Sequence, residues 1–292
     1  MDLYKNIHRE ITPLTPSDSF LVFDRVKDKF DFPIHFHPEY ELNYIENASG
    51  LRRVVGNHIE ETKNLELVLI GPNLYHSWQQ HKCNAPQIRE ITIQFHNDLL
   101  SENMLNRSLF KPVMEMLQRS AKGILFSQSV ILRMAPRIKK LTNLEGMEYF
   151  VEALSILYDL AISKDQRLLS EVDGFEANFE NSGRIQQVYK YIQEEYARKI
   201  TLAEVAELVN MSTVSFNRFI KKRTGKTLIE YVNDVRMGYA SRRLLEKDLN
   251  VSEIAYTCGF NSLGNFNRLF KQKYGVTPTE YRVAFSGIRR VL

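Results

Sequence analysis

The stretch "FNRFIKKRTGKT" occupies residues 216–227, and "FNRLFKQKYGVT" occupies residues 266–277, fifty positions later. Extended to Tyr231 and Tyr281, eight of the sixteen aligned positions are identical. Such self-similarity at a fixed period marks a structural unit written twice. Each copy follows a helix-start signal. Thr201 with Glu204, and Asn250 with Glu253, offer a capping side chain and a carboxylate three residues on. Behind each cap an apolar stripe recurs at i, i+3, i+4, i+7: Leu202, Val205, Ala206, Val209 and then Val251, Ile254, Ala255, Cys258. A turn and a second helix carrying Phe-Asn-Arg follow in both copies. Two short helices joined by a turn make a helix-turn-helix, so the chain carries two of them. Gly225 and Gly275 stop the second helices, and Thr227 with Glu230 and Thr277 with Glu280 cap the next ones. A helix from about Leu228 to Glu246, rising roughly 28 Å, connects the units.

The surface left over is basic and polar. With Phe216, Phe219 and Ile220 turned to the core, the first copy presents Ser212, Thr213, Val214, Asn217, Arg218, Lys221 and Lys222. With Phe266, Leu269 and Phe270 inward, the second presents Ser262, Leu263, Gly264, Asn265, Asn267, Arg268 and Lys271. Arginine can fork onto guanine and asparagine onto adenine in the major groove, while lysine neutralises phosphate. Charges on one helix ordinarily just solvate it; matched charges on two copies point to double-stranded DNA.

The net charge of +4 conceals a division. Residues 184–292 hold 19 Lys/Arg and 10 Asp/Glu, a balance of +9, which leaves −5 for residues 1–183, where all seven histidines lie. A basic module facing a polyanion is joined to an acidic, histidine-bearing one. Residues 20–95 read as short strands separated by turn signals, with Gly56-Asn57 a tight hairpin, and so as an antiparallel barrel or sandwich. Past Asn97 the apolar spacing becomes helical. In "GMEYFVEALSILYDLAI", Phe150, Leu154, Leu157 and Ala161 share one face while the other side is also apolar, so this helix either packs on its own barrel or forms a dimer surface. The polar stretch ending at Ser182-Gly183 reads as a linker. The expected organisation is α+β in two domains: a barrel at 1–96, a helical segment at 97–165, a linker at 166–183, an all-α domain at 184–285 and a tail at 286–292. Two distant cysteines, no apolar leader and no run of eighteen apolar residues point to a cytoplasmic protein with no membrane role.

Residues 184–284 resemble the DNA-binding domain of AraC/XylS-type bacterial transcription regulators, and "VSEIAYTCGFNSLGNFNRLFKQKYGVTPTEYR" is similar to that family's signature almost throughout. The resemblance implies reading helices at about Ser212–Arg223 and Ser262–Lys273, lying in successive major grooves. Val214, Asn217 and Arg218 match base-reading positions of the first, and Leu263, Gly264, Asn267 and Arg268 those of the second. Gly264 departs from the pattern, since a larger side chain would reach a base there. The family further implies activation of a catabolic or stress operon by a homodimer working with RNA polymerase, under control of a small-molecule effector. Repression is the alternative sign.

In "FPIHFHPEYELNYI", His35, His37 and Glu41 have the same parity, which on one strand aims them at one face, although Pro38 disturbs the register. His76 follows a Gly-Pro turn. Three imidazoles and a carboxylate suit zinc, iron or manganese. The spacing is similar to the two short motifs of cupin barrels, with Gly50 later than the usual glycine. Two readings stand: an occupied metal site, or metal-free histidines lining an effector pocket or packed in the core. Tyr40, Tyr44, Tyr75 and Trp78 are candidates to stack on a sugar ring, and Arg52, Arg53 and Arg89 to pair with a carboxylate; for each, a core or solvated role competes. A metal-dependent cupin isomerase or oxygenase fused to a DNA reader is the rival function, but no acid–base pair or nucleophile arrangement elsewhere supports catalysis.

Overall fold

In the computed structural model the alternating segments of the N-terminal half become antiparallel strands: β1 (His8–Arg9), β2 (Leu21–Lys27), β3 (His35–Phe36), β4 (Tyr40–Glu46), β5 (Arg52–Val55), β6 (His58–Glu61), β7 (Leu65–Ile70), β8 (His76–Gln79) and β9 (Ile88–Phe95). The structure describes residues 8–10, 12, 14, 18–30, 34–171, 182–224, 226–244, 249–285 and 289–291. One sheet carries β3, β8, β5 and β6 in that order; the other runs β7, β4, β9, β2. The β5–β6 turn is the expected two-residue hairpin, with Val55 opposite His58 and Gly56 at φ +54°. A side chain at Gly56 would also strike Ser170, at 2.2 Å from its Oγ.

The helices after β9 are α1 (Glu102–Leu105), α2 (Lys111–Arg119), α3 (Gln128–Leu141) and α4 (Gly146–Ala161). The helical reading missed two strands, β10 (Ile124–Phe126) and β11 (Gln166–Leu168), which extend the second sheet beyond β7. Three residues carry no measurable period, so only pairing identifies them, β10 with β7 and β11 with β10. The linker expected from 166 therefore begins later: β11 is in the sheet, Leu169 and Ser170 donate to Gly123 and Lys122 carbonyls, and Ser170 meets Asn57. Residues 172–181 lie outside the described residues.

Helices α2 to α4 cover the outer face of the second sheet in one apolar cluster with Leu42, Tyr44, Leu67, Ile91 and Ile93. The buried face of α4 is Tyr149, Ala153, Ile156, Leu157, Leu160 and Ala161; it keeps Leu157 and Ala161 of the expected face but is rotated from it, because Phe150 and Leu154 are only half-buried. Its other side, Met147 and Val151 with Ile162 just beyond the helix, is exposed. The packing on its own sheet is thus real, and a second apolar stripe remains. Arg289–Val291, β12, pairs antiparallel with β2.

The described residues from 14 to 171 form one unit and those from 182 to 285 another. The second is all-helical: α5 (Ser182–Glu195), α6 (Leu202–Leu208), α7 (Thr213–Thr224), α8 (Leu228–Arg243), α9 (Val251–Thr257), α10 (Leu263–Tyr274) and α11 (Pro278–Phe285). All four expected capping boxes form, at Thr201–Glu204, Thr227–Glu230, Asn250–Glu253 and Thr277–Glu280. Gly275 ends α10 in the left-handed region at φ +76°; Gly225 lies outside the described residues. At 16 residues α8 spans about 24 Å, shorter than expected because Leu244 caps it.

Candidate nucleic-acid interface and barrel pocket

The two helix-turn-helix units are built alike. Phe216 and Ile220 are buried in one cluster with Val205, Ala206 and Val209. Phe266 and Phe270 are buried in a second with Ile254, Ala255 and Cys258. Val214, Asn217, Arg218 and Lys221 on α7, and Gly264, Asn265, Asn267, Arg268 and Lys271 on α10, are exposed. Ser212 and Ser262 are the helix caps, each hydroxyl accepting from a backbone amide, of Ser215 and Asn265 respectively. Thr213 is exposed but its counterpart Leu263 is half-buried against the second core, which corrects the outward reading of Leu263. Lys222 sits on α7, with its side chain outside the described residues. Gly264 has open space above it, a Cβ meeting only Ser262 Oγ at 3.8 Å. On α10, Arg268 Nη2 donates to Asn265 Oδ1 at 3.0 Å, which aims the guanidinium along the exposed face.

Helix α8 holds the two units in register. Val232 and Val235 enter the first core, and Met237, Ala240 and Leu244 the second. Tyr196 and Tyr239 stack at 3.9 Å and touch both cores. Arg236 donates to the carbonyls of Tyr196 and Arg198, at 2.8 Å each, and lies over Phe260. None of this linkage was legible in the repeat, because the residues that make it differ between the copies.

In the barrel, the single-strand reading of His35, His37 and Glu41 is corrected. Pro38 falls in a bend, β3 ends at Phe36 and β4 starts at Tyr40, so His35 comes from the first sheet, Glu41 from the second, and His37 from the connection between them. They still converge. His35 pairs with His76 across β3 and β8, their rings 4.2 Å apart, and the His37 and His76 rings lie 5.0 Å apart. One nitrogen from each of His35, His37 and His76 lies within 4.8 Å of the others, and all three residues are buried. Glu41 stands beside them, 3.2 Å from His37 Nε2 and 3.8 Å from His76 Nε2.

Glu41 also accepts from Gln94 at 2.9 Å and Asn43 at 3.1 Å. Burial opposes its charge, but the His37 hydrogen bond and the neighbouring imidazoles outweigh that and hold the carboxyl well below its ordinary range. Burial pushes His76 down to about 4. That leaves its imidazole neutral at pH 7, with Nδ1 donating to the Leu74 carbonyl at 2.8 Å. Nε2 then carries a lone pair and has no hydrogen-bond partner among the described residues. His37 Nδ1 likewise faces a carbonyl, that of Glu39, at 3.2 Å. Its Nε2 is turned to the Glu41 carboxylate.

The polar lining continues beyond this cluster. Asn43 reaches Glu90, which is buried and takes ion pairs from Arg25 at 2.8 Å and Lys27 at 2.6 Å. These residues escaped the sequence reading. The signal was Glu90, Thr92 and Gln94 alternating with Ile91, Ile93 and Phe95 in a strand whose apolar side faces the helices. Of the other candidates, Trp78 is buried beside His76, 6.2 Å between rings, with its Nε1 donating to Glu66. Tyr44 points to the helix-covered outer face and donates to Glu46, and Tyr40 is on that face too, so neither lines this pocket. Arg52, Arg53 and Arg89 are engaged by Gln79, by Glu66 and Glu60, and by Asp24.

Residues 205–284 match the model of a helix-turn-helix domain family. The chain is 26% identical over 256 residues to the transcriptional activator RhaS of Mannheimia succiniciproducens, covering 86% of this chain and 90% of that one. It is 24% identical to the helix-turn-helix regulator YdeC of Bacillus subtilis over 86% of each chain. Its fold is similar to that of ToxT from Vibrio cholerae, with a TM-score of 0.58 at 16% identity, covering 92% of this chain and 99% of that one. No helix among the described residues is long and apolar enough to cross a membrane. With two capped helix-turn-helix units on a basic C-terminal module and a two-sheet N-terminal unit, the chain is a DNA-binding transcription regulator similar to those of the AraC/XylS type.

Proposed function

We propose that this regulator activates transcription when a small polar effector occupies the N-terminal barrel. The observation that carries the DNA side is the pair of exposed Asn-Arg dipeptides, Asn217-Arg218 and Asn267-Arg268, at equivalent positions of two reading helices joined through α8. Direct reading of guanine and adenine by such pairs explains why the phrase is written twice. On the effector side, the barrel interior sets three imidazoles, two carboxylates, two amides and two cations against one another. Such a lining suits a hydroxyl-rich or carboxylated molecule, including a sugar, better than an apolar one. The exposed stripe Met147, Val151 and Ile162 is the surface for a second copy, and RNA polymerase is the partner in activation. The named relatives are regulators, which favours this reading over a cupin enzyme. Operator selection with the full chain, followed by transcription from the selected site with and without candidate sugars and sugar acids, tests it. Absence of a selected sequence would overturn the DNA reading, and effector-independent transcription the barrel reading.

A second reading concerns metal. The lone pair on buried His76 Nε2, the backbone-oriented His37 ring and His35 form a donor set that fits zinc, iron or manganese. His35, His37 and His76 would hold the ion, with Glu41 alongside; the ion would supply a Lewis-acidic anchor for a ligand oxygen. Metal content of untagged protein, and the thermal shift on adding each ion to the native chain and to His76→Ala, decide it. No uptake of any of the three ions rejects the reading.

A further inference from the structure

A cavity of about 270 Å³ lies on the outer side of the second sheet, away from the histidines, between the ends of β4 and β9 and helices α1 and α2. Its floor is the stacked pair Tyr40 and Phe95, with ring centroids 5.1 Å apart. Leu100, Leu105, Met114 and Leu117 form its walls. The rim is polar: Asn97, Glu102, Asn106 and Gln118, with His96, surround the opening. No lysine or arginine lines it, and the Glu102 carboxylate has no ion pair among the described residues. The volume is just below that of drug-sized pockets, enough for a molecule built on a single ring. An aromatic floor, a thioether wall and a lone rim carboxylate together favour a ring with a neutral or cationic end, and disfavour an acid.

We propose that this cavity is a second ligand site, taking a small aromatic amine. The amine sits over Tyr40 and Phe95 with its ammonium at the rim beside Glu102. Tyr40 is the neighbour of Glu41 on β4, so an occupant presses on the same strand that carries the carboxylate of the barrel cluster from its other face. The site stands independently of the effector and metal readings.

The test is calorimetric titration of the full-length chain with phenethylamine, 2-phenylethanol and phenylacetate. Phenethylamine is expected to bind about two- to fivefold more tightly than 2-phenylethanol, the range an exposed charge pair supplies, and phenylacetate more weakly than either. Glu102→Gln should remove the preference for the amine while leaving 2-phenylethanol binding intact. Leu105→Trp should fill the cavity and abolish binding of both, and Met114→Phe serves the same purpose if the tryptophan variant does not fold. The proposal is overturned if phenethylamine does not bind, if phenylacetate binds as tightly, if Glu102→Gln leaves the preference unchanged, or if a folded cavity-filling variant binds as the native chain does.

Discussion

Asp234 Oδ1 on the connecting helix α8 lies 3.2 Å from Lys273 Nζ on the second reading helix, and the same lysine donates to the Asp234 carbonyl at 3.3 Å. Lys226, at the foot of the first unit, pairs with the other carboxylate oxygen. One side chain therefore ties α8 to both helix-turn-helix units. A rigid spacing between two readers matters because adjacent major-groove segments sit a helical turn apart, roughly 34 Å.

Asp234→Ala is expected to destabilise the C-terminal unit by about 1–3 kcal/mol, since two partly buried ammonium groups lose their partner. It should weaken binding to a two-segment operator more than to either half alone. Burial raises the carboxyl, but Lys273 and Lys226 overcome this and hold it below its ordinary value. Its contribution is therefore complete above the ordinary carboxylate range and is lost as pH falls through the lowered value. Thermal unfolding from pH 7 to pH 3 should show native and variant chains converging at the acid end.

Arg218→Ala and Arg268→Ala should each cost about 1–3 kcal/mol in operator binding and relax preference at the base that the arginine contacts. The affected positions should lie roughly 10 base pairs apart. Binding-site selection on both variants checks this; if both relax the same base pair, or neither relaxes any, two-segment reading is wrong.

Gly259 sits in the turn of the second unit at φ +85°, where a Cβ would come within 2.7 Å of the Ala197 carbonyl oxygen and 2.8 Å of the Tyr196 one. Gly259→Ala thus combines backbone strain with a clash against main chain. A loss above about 1 kcal/mol in thermal unfolding is expected, with reduced operator affinity.

Arg53 is 1% exposed and pairs with buried Glu66 at 2.6 Å, while Glu66 also accepts from Trp78 Nε1 at 2.7 Å. Burial already raises the Glu66 carboxyl despite the guanidinium beside it. Arg53→Ala strands that carboxylate, and a cost of about 3–5 kcal/mol is expected. Adding Glu66→Gln should recover part of it; no recovery in the double variant would mean that lost packing, not charge, sets the penalty.

The duplicated helix-turn-helix was legible in the chain because its determinants are local. Caps three residues from their carboxylates, stripes at helical spacing and a stop at Gly275 act within a few residues, so Thr201–Glu204 or Val251–Cys258 can be read without knowing what they pack against. The strands of the barrel were legible for the same reason. What the tertiary structure decided is non-local. Leu263 turns partly into the second core where Thr213 stays out, because the cores differ. Gln166–Leu168 joins a sheet only because Ile124–Phe126 is beside it. Glu41 was a pocket candidate by its parity with the histidines and Tyr44 by its nearness to them in sequence, yet odd spacing on β4 places the two on opposite faces of one sheet. The histidine cluster is the sharpest case: Pro38 breaks the strand whose parity would have aligned His35, His37 and Glu41. Pairing of β3 with β8 sets His35 beside His76, and the second sheet brings Glu41 up against them from β4.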